Sequence, residues 1–170
     1  MINPEDHQRN VSFRTDTFIN MMGGIYEKVS AIAGAEEAEK IFFESGYNSG
    51  KNFAERIDAQ WSNSDLDLFD SIKAKFKKWC EFDSAVGWGN FSSEIAYDEE
   101  NNCLAGNISI NEAFIVDNKG KRKICNFIKG YCSGVAETLL GSVEVELVCK
   151  ECPLKNKFHP KCVFSLKTID

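Results

Sequence analysis

Residues 125–162 read CNFIKGYCSGVAETLLGSVEVELVCKECPLKNKFHPKC and hold five of the seven cysteines of the chain and one of its two histidines. Together with the residue before it, the first part of this stretch carries apolar side chains in steps of three and four, at Ile124, Ile128, Tyr131, Val135 and Leu139. This spacing places them on one face of a helix, and Gly141 follows the last apolar turn, where glycine commonly ends helices. From there the period changes to two, with apolar side chains at Val143, Val145, Leu147 and Cys149. The stretch therefore predicts a helix followed by a half-buried strand.

Paired ligand-type side chains at the end of this strand predict a metal site. Two residues separate Cys149 from Cys152, and two separate His159 from Cys162. A two-residue gap lets a tight turn present both side chains to one ion, and thiolate and imidazole donors suit tetrahedral zinc. The other interpretation is that these are reduced cysteines packed as small apolar side chains, with His159 on the surface.

Several short motifs match a known family: Cys125, Gly130-Tyr131, Ser133-Gly134, Glu146-x-x-Cys149 and Cys162-Val163-Phe164. With these motifs the stretch resembles the 4-vinyl-reductase-type small-molecule-binding domain, which is related to the sensor domains of phenol-responsive activators and to TRAPP vesicle-tethering subunits. In the sensor members, the resemblance implies a structural zinc ion held by three cysteines and one glutamate. Carried over by motif, the ligands are Cys125, Glu146, Cys149 and Cys162.

The set implied by the resemblance and the set implied by spacing share two ligands and compete for the other two. We predict the set that the resemblance implies, because its four residues fall in the family's order. Cys152 and His159 remain open as replacements for Cys125 or Glu146. Strict strand alternation also places Glu146 and Cys149 on opposite faces, so the predicted set requires a twist or bulge at the strand end.

The remainder of the chain predicts three helices and two strands ahead of this stretch. Residues 1–13 are polar and aperiodic and predict a flexible N-terminal arm, whereas residues 14–170 form the domain that resembles the family. The first predicted helix begins at Asp16 as N-cap and ends at Gly34, and the second spans 36–61. The third begins at a capping arrangement of Ser64 and Asp67 and ends near Phe82. The two predicted strands span 91–97 and 104–110. The order α-α-α-β-β-α-β-β predicts a single α+β domain, with an antiparallel four-stranded sheet packed against helices.

Composition narrows the class of protein. A chain of 170 residues fits one domain, and a net charge of -6 argues against a nucleic-acid surface. The chain contains no apolar run long enough to span a membrane, and its start, MINPEDHQRN, lacks the pattern of a secretion signal. With seven cysteines and no export signal, we expect a soluble, cytoplasmic protein with reduced thiols or metal ligands and no disulfide framework.

Two helix surfaces predict close contacts. Gly46 and Gly50, four residues apart in the second predicted helix, allow another backbone to approach closely. In the first predicted helix, apolar side chains recur at Met22, Ile25, Val29 and Ile32. A second copy of the chain is the expected cover for this face, because most soluble oligomers are two-fold dimers, and the resemblance also implies a homodimer.

The aromatic residues predict a binding function more clearly than a catalytic one. No nucleophile, phosphate-loop or dinucleotide motif is present, and a zinc ion held only by side chains leaves no open position for a substrate. We predict that Trp79, Trp88, Phe127 and Tyr131 line a cavity for a hydrophobic small molecule. No histidine joins them, unlike in the phenol sensors. The leading hypothesis is a free-standing ligand-binding or sensing module with structural zinc; the alternative is a scaffold subunit that engages a protein partner and binds no soluble ligand.

Overall fold

The computed structural model describes residues 14–61, 67–100, 103–114, 125–152 and 161–169. Its elements are α1 (Thr15–Ala33), α2 (Ala35–Trp61), α3 (Leu68–Ala85), β1 (Asn90–Asp98), β2 (Cys103–Asn111), α4 (Cys125–Leu139), β3 (Val145–Glu151) and β4 (Lys161–Thr168). The predicted α+β class, the element order and the four-stranded antiparallel sheet are confirmed. The predicted N-terminal arm lies outside the described residues, as does His159. In the described ranges, no helix has the combined length and apolar character that crossing a bilayer requires.

The sheet has the strand order β1-β2-β4-β3, and every neighbouring pair is antiparallel. One face is buried beneath α3 and α4, with side chains such as Ile95, Ile108 and Phe164 in the main core. The opposite face carries exposed polar side chains, including Asn107 and Lys167. This division follows from the two-residue period of a strand, because successive side chains point to opposite faces.

The close approach predicted at Gly46 and Gly50 is confirmed, and the partner is α4. These two glycines face the backbone of α4, and Gly130 and Gly134 of α4 face the backbone of α2. A Cβ atom on Gly46, for example, would overlap the carbonyl oxygen of Phe127. The contact is therefore reciprocal, with glycines from each helix admitting the main chain of the other.

Two predicted helix boundaries were wrong. Arg14, rather than Asp16, occupies the N-cap position of α1, and Asp16 forms an ion pair with it at 2.7 Å within the first turn. Asp67 is itself the N-cap of α3, where its side chain accepts a hydrogen bond from the Asp70 N–H at 2.8 Å. The helix then continues to Ala85, past Phe82. Ser64 lies outside the described residues.

The start predicted for β3 was also wrong. Val143 is 41% exposed and precedes the strand, which begins at Val145. Gly141 and Ser142 both have positive φ angles, 79° and 66°, so the chain turns through two left-handed residues after α4. Val143, the first position of the apolar alternation, therefore follows this turn and lies outside the strand.

Candidate functional site

A buried carboxyl group connects α3 to α4. The Trp79 Nε1–H donates to Asp83 Oδ2 at 2.6 Å, and the Tyr131 hydroxyl donates to Asp83 Oδ1 at 3.2 Å. Asp83 is only 2% exposed. Burial raises its pKa from 3.8 to about 6, although both hydrogen bonds favour the charged form. Burial and the nearby Asp83 also raise the pKa of Tyr131, so the phenol stays protonated.

Asp83 was not among the predicted site residues, although the sequence contained a signal for it. The buried positions of α3 are Ile72, Phe76, Trp79, Cys80 and Asp83. A carboxylate four residues after Trp79, at the next core position of an amphipathic helix, is unusual because burying a charge without partners is costly. Such a position requires hydrogen-bond donors nearby, and Trp79 is one of them.

Three of the four residues predicted to bind a ligand lie together in this region. The Trp88 and Tyr131 ring centroids are 4.8 Å apart, and Trp79 shares Asp83 with Tyr131. Phe127 lies elsewhere, in the first turn of α4, where it packs against both the main core and the separate cluster of Tyr26, Ala38 and Phe42. The structure therefore groups Trp79, Trp88 and Tyr131 and leaves Phe127 apart.

An open groove of about 670 Å³ lies between α3 and β1. Its lining residues are Lys73, Phe76, Lys77, Cys80, Glu81, Ser84, Phe91, Ser92, Ser93, Glu94 and Ile95. Trp79 lies behind the groove, with its ring centroid 5.8 Å from that of Phe76 and 5.9 Å from that of Phe91. The volume falls in the range of about 300–1,000 Å³ that is typical of small-molecule sites.

The groove is held at one end by the Ser84 hydroxyl. This group donates to the Cys80 carbonyl oxygen at 2.6 Å and accepts the Phe91 N–H at 2.9 Å, which joins the end of α3 to the start of β1. Burial raises the pKa of the Cys80 thiol to about 11. Cys80 is therefore protonated at neutral pH and contributes apolar surface rather than a nucleophile.

Four cysteines lie in the region where α4, β3 and β4 meet. Cys149 and Cys162 are on the buried face of the sheet, Cys152 follows β3, and Cys125 begins α4. Burial, then the neighbouring Cys152 and Cys162, raise the pKa of Cys125 above its usual range. Burial, then Cys152 and Cys149, raise the pKa of Cys162 to about 12. None of the seven cysteines forms a disulfide.

Glu146 lies apart from these thiols. It is exposed on the opposite face of β3 and pairs across the strands with Lys167, also exposed. The irregularity in the ladder falls between Cys149 and Glu151, so it does not bring Glu146 to the buried face. In the part of the chain that the structure describes, no three Cys, His, Asp or Glu side chains already form a metal site. Thiolates are donors that zinc prefers, but the three predicted cysteine ligands do not stand as a ready metal group, and Glu146 lies on the opposite face of β3.

No protein-family model matches the chain, and no curated protein sequence matches it. The fold itself is one found in solved structures of sensory, vinyl-reductase-type and vesicle-trafficking proteins, and the relationships suspected from the sequence motifs are confirmed at the level of the fold.

Three of these structures are especially informative. The phenol-responsive sensory domain of the transcription activator PoxR, solved with phenol, aligns with a TM-score of 0.69 and 17% identity over 95% of this chain and 77% of that one. A trafficking protein particle complex subunit 3 from Naegleria fowleri, covalently bound to palmitic acid, aligns with a TM-score of 0.59 and 15% identity. The alignment covers 92% of this chain and 95% of that one. A vinyl-4-reductase family protein from Methanocaldococcus jannaschii aligns with a TM-score of 0.54 and 18% identity. The alignment covers 95% of this chain and 85% of that one.

Proposed function

We propose that this chain is a binding module for an apolar small molecule, which it takes up in the groove between α3 and β1. The observation that carries the proposal is the groove itself, whose floor of Phe76, Cys80, Phe91 and Ile95 is apolar. Two structures that share the fold hold small molecules with large apolar parts, phenol and palmitic acid, which supports this choice.

The predicted ligand-binding residues take different positions relative to this groove. Trp79 supports its floor from behind, through Phe76 and Phe91. Trp88 and Tyr131 lie next to Asp83, and Phe127 lies in a different part of the core. We therefore propose that Trp79 shapes the site, that Tyr131 fixes Trp79 in place through Asp83, and that Trp88 supports the Tyr131 ring.

Ligand binding is expected to raise the melting temperature. A ligand present at a hundred times its dissociation constant stabilises the folded state by about 2.7 kcal/mol, which corresponds to roughly 5–10 °C for a domain of this size. Calorimetry with decanoate and with indole tests an acyl and an aromatic occupant. Phenylalanine in place of Ser93, which lines the groove, should abolish the response.

The control is Ser165→Phe, which changes a half-buried serine of β4 that does not line the groove. This variant should respond to ligand like the wild type. An unchanged melting temperature with every probe would contradict the binding proposal, and an equal response in the Ser93 variant would place the ligand elsewhere.

A second function, that of an interaction subunit, is favoured by the surface of α1. Met21, Ile25 and Ile32 are 50%, 47% and 88% exposed, and their spacing places them on one side of the helix. Of the residues predicted for a dimer face, Met22 and Val29 instead pack within the chain, against the cluster containing Tyr26 and Phe42. We propose that the remaining exposed apolar face joins two copies of the chain.

Charge on this face is expected to prevent dimer formation. The double variant with aspartate in place of Ile25 and Ile32 should sediment as a monomer, because burying two carboxylates in an apolar interface is strongly unfavourable. Ala31→Asp adds one charge to the same helix outside the apolar face and should leave the dimer intact. A wild-type protein that sediments as a monomer at micromolar concentration would overturn the proposal.

We propose that the cysteine cluster holds a structural zinc ion. Cys125, Cys149 and Cys162 come from α4, β3 and β4, so one ion bound to them would cross-link three elements. When bound, zinc supplies a fixed tetrahedral centre, and its binding energy adds to the folding energy. In this proposal the chain supplies three thiols, of which Cys162 is buried and the other two are half-buried.

A further inference from the structure

We propose that the groove between α3 and β1 binds a short peptide in an extended conformation, which joins the sheet as an additional strand beside β1. This inference rests on the proposed binding function and names the chemical class of its ligand. Three features of the groove carry it: the open edge of β1, the apolar wall of α3, and the charges along that wall.

β1 is an edge strand whose outer main-chain groups face the groove. Among the strands that the structure describes, only β2 pairs with it. The Phe91 N–H donates to the Ser84 hydroxyl at the end of α3, so it points away from β2. Main-chain groups alternate in direction along an antiparallel strand, so those of Ser93 and Ile95 point the same way as those of Phe91. Both residues line the groove, which therefore contains main-chain donors and acceptors in strand geometry.

The far side of β2 gives the same direction independently. The Leu104 N–H donates to the Thr168 side chain of β4 at 3.1 Å, so the even-numbered residues of β2 face β4 and the odd-numbered ones face β1. Of the β1–β2 pairs, Glu94 with Asn107 is then hydrogen-bonded. The neighbouring residue Ser93 makes no ladder bond to β2, because its main-chain groups point to the open edge.

The α3 wall offers apolar surface for alternate side chains of an added strand. Phe76 and Cys80 are buried, lie one turn apart on this wall and line the groove. Successive side chains of a strand point to opposite sides, so every second side chain of the ligand would meet this wall. In strand addition, main-chain hydrogen bonds give affinity and surfaces for alternate side chains give specificity. The ligand that fits has an apolar side chain at every second residue.

Charges along the same wall match the two ends of a short peptide. Lys73 and Lys77 line the groove, and Glu81 lies one turn after Lys77. The helix rises about 12 Å from Lys73 to Glu81, which is the length of about four residues of extended chain. A free carboxylate beside the lysines and a free amino group beside Glu81 would each face the opposite charge. Glu94, the other charged residue of the lining, is exposed on the outer face of β1.

Titration calorimetry of the full chain with the peptide Leu-Ser-Leu-Ser, with free ends, tests the inference. The peptide should bind, and methylation of each amide nitrogen in turn should weaken binding at alternate positions only. The expected loss is at least about fivefold where the nitrogen faces β1, since one hydrogen bond is worth about that much. Blocking both ends should also weaken binding. Equal affinity for all methylated peptides would overturn the inference.

On the protein, Ser93→Pro removes an N–H that faces the peptide. This N–H points away from β2, and an edge strand tolerates proline at such a position. Peptide affinity should fall by at least about fivefold. Tyr97→Pro is the matched control, because it makes the same change on the same edge of β1 outside the groove lining, and it should bind the peptide like the wild type. The methylated peptides keep the inference testable if the Ser93 variant does not fold.

The remaining outcomes separate this inference from the proposal on which it rests. A protein that responds to decanoate or indole but does not bind the peptide would overturn the inference and leave the binding function in place. A protein that responds to none of these probes would overturn both. A wild-type dimer that becomes a monomer in Ser93→Pro would assign the edge of β1 to a second copy of the chain, which would also overturn the inference.

Discussion

Alanine in place of Gly130 is expected to destabilise the fold by about 3 kcal/mol, although the substitution normally favours a helix. A Cβ atom at this position would overlap the Phe43 carbonyl oxygen and lie 2.9 Å from the Tyr47 nitrogen. These are backbone atoms of α2, so no side-chain rotation relieves the overlap. The helices must separate, and the contacts along both are weakened together. Denaturant unfolding measures the loss.

Gly24→Ala is the matched control. Gly24 also lies within a helix, it is exposed, and nothing lies within 4 Å of an added Cβ atom. The same substitution should therefore stabilise the protein by about 1 kcal/mol, from helix propensity alone. A Gly130→Ala variant as stable as the wild type would show that α2 and α4 do not pack through their backbones.

Neutralising Asp83 is expected to stabilise the protein at neutral pH. The folded-state pKa of Asp83, about 6, lies above its ordinary value of 3.8, because burial disfavours the charged form. A raised pKa gives stability that is complete below pH 4 and lost as the pH rises through 6. The rise in the Asp83 pKa from 3.8 to about 6 corresponds to a loss of roughly 3 kcal/mol in unfolding free energy above pH 6. Asp83→Asn retains an acceptor for Trp79 and removes the buried charge, so it should exceed the wild type in stability at pH 7.5 and equal it near pH 4.

The measurement is the difference in unfolding free energy between wild type and variant across this pH range. Burial raises the pKa values of the neighbouring Cys80, Cys132 and Tyr131, so these groups stay protonated in both proteins across this pH range and the difference reports the Asp83 carboxyl group. Glu81→Gln, an exposed change on the same helix, gives the baseline for an ordinary carboxyl group. A stability difference that does not change with pH would contradict the expected titration of Asp83.

The sequence predicted most of the fold because its signals are local. The switch from a three-to-four spacing to a two-residue spacing after residue 140 marked α4 and β3, and Gly46 with Gly50 marked a close contact. The partner in that contact was not local information. Gly130 and Gly134 were read only as part of a family motif, and they meet α2 because of the packing of the whole domain.

The candidate sites were less predictable for the same reason. Alternation placed Glu146 and Cys149 on opposite faces, and the structure agrees. Strand alternation required a bulge to bring Glu146 to the same face as Cys149. The bulge lies after Cys149 instead, at a position that depends on how β3 pairs with β4. That position turns Cys152 inward. The groove likewise depends on the distance between α3 and β1, which no pattern within either element specifies.

The strand order also determines when the cysteine cluster is assembled during folding. β1 and β2 are neighbours in the chain, whereas β2 pairs with β4 only after α4 and β3 have been enclosed in the connection between them. Closing so long a segment costs chain entropy and slows the formation of distant contacts. We therefore expect the helices and the β1–β2 hairpin to form early and the thiols of α4, β3 and β4 to meet late. A zinc ion that binds after the rate-limiting step would slow unfolding and leave the refolding rate unchanged.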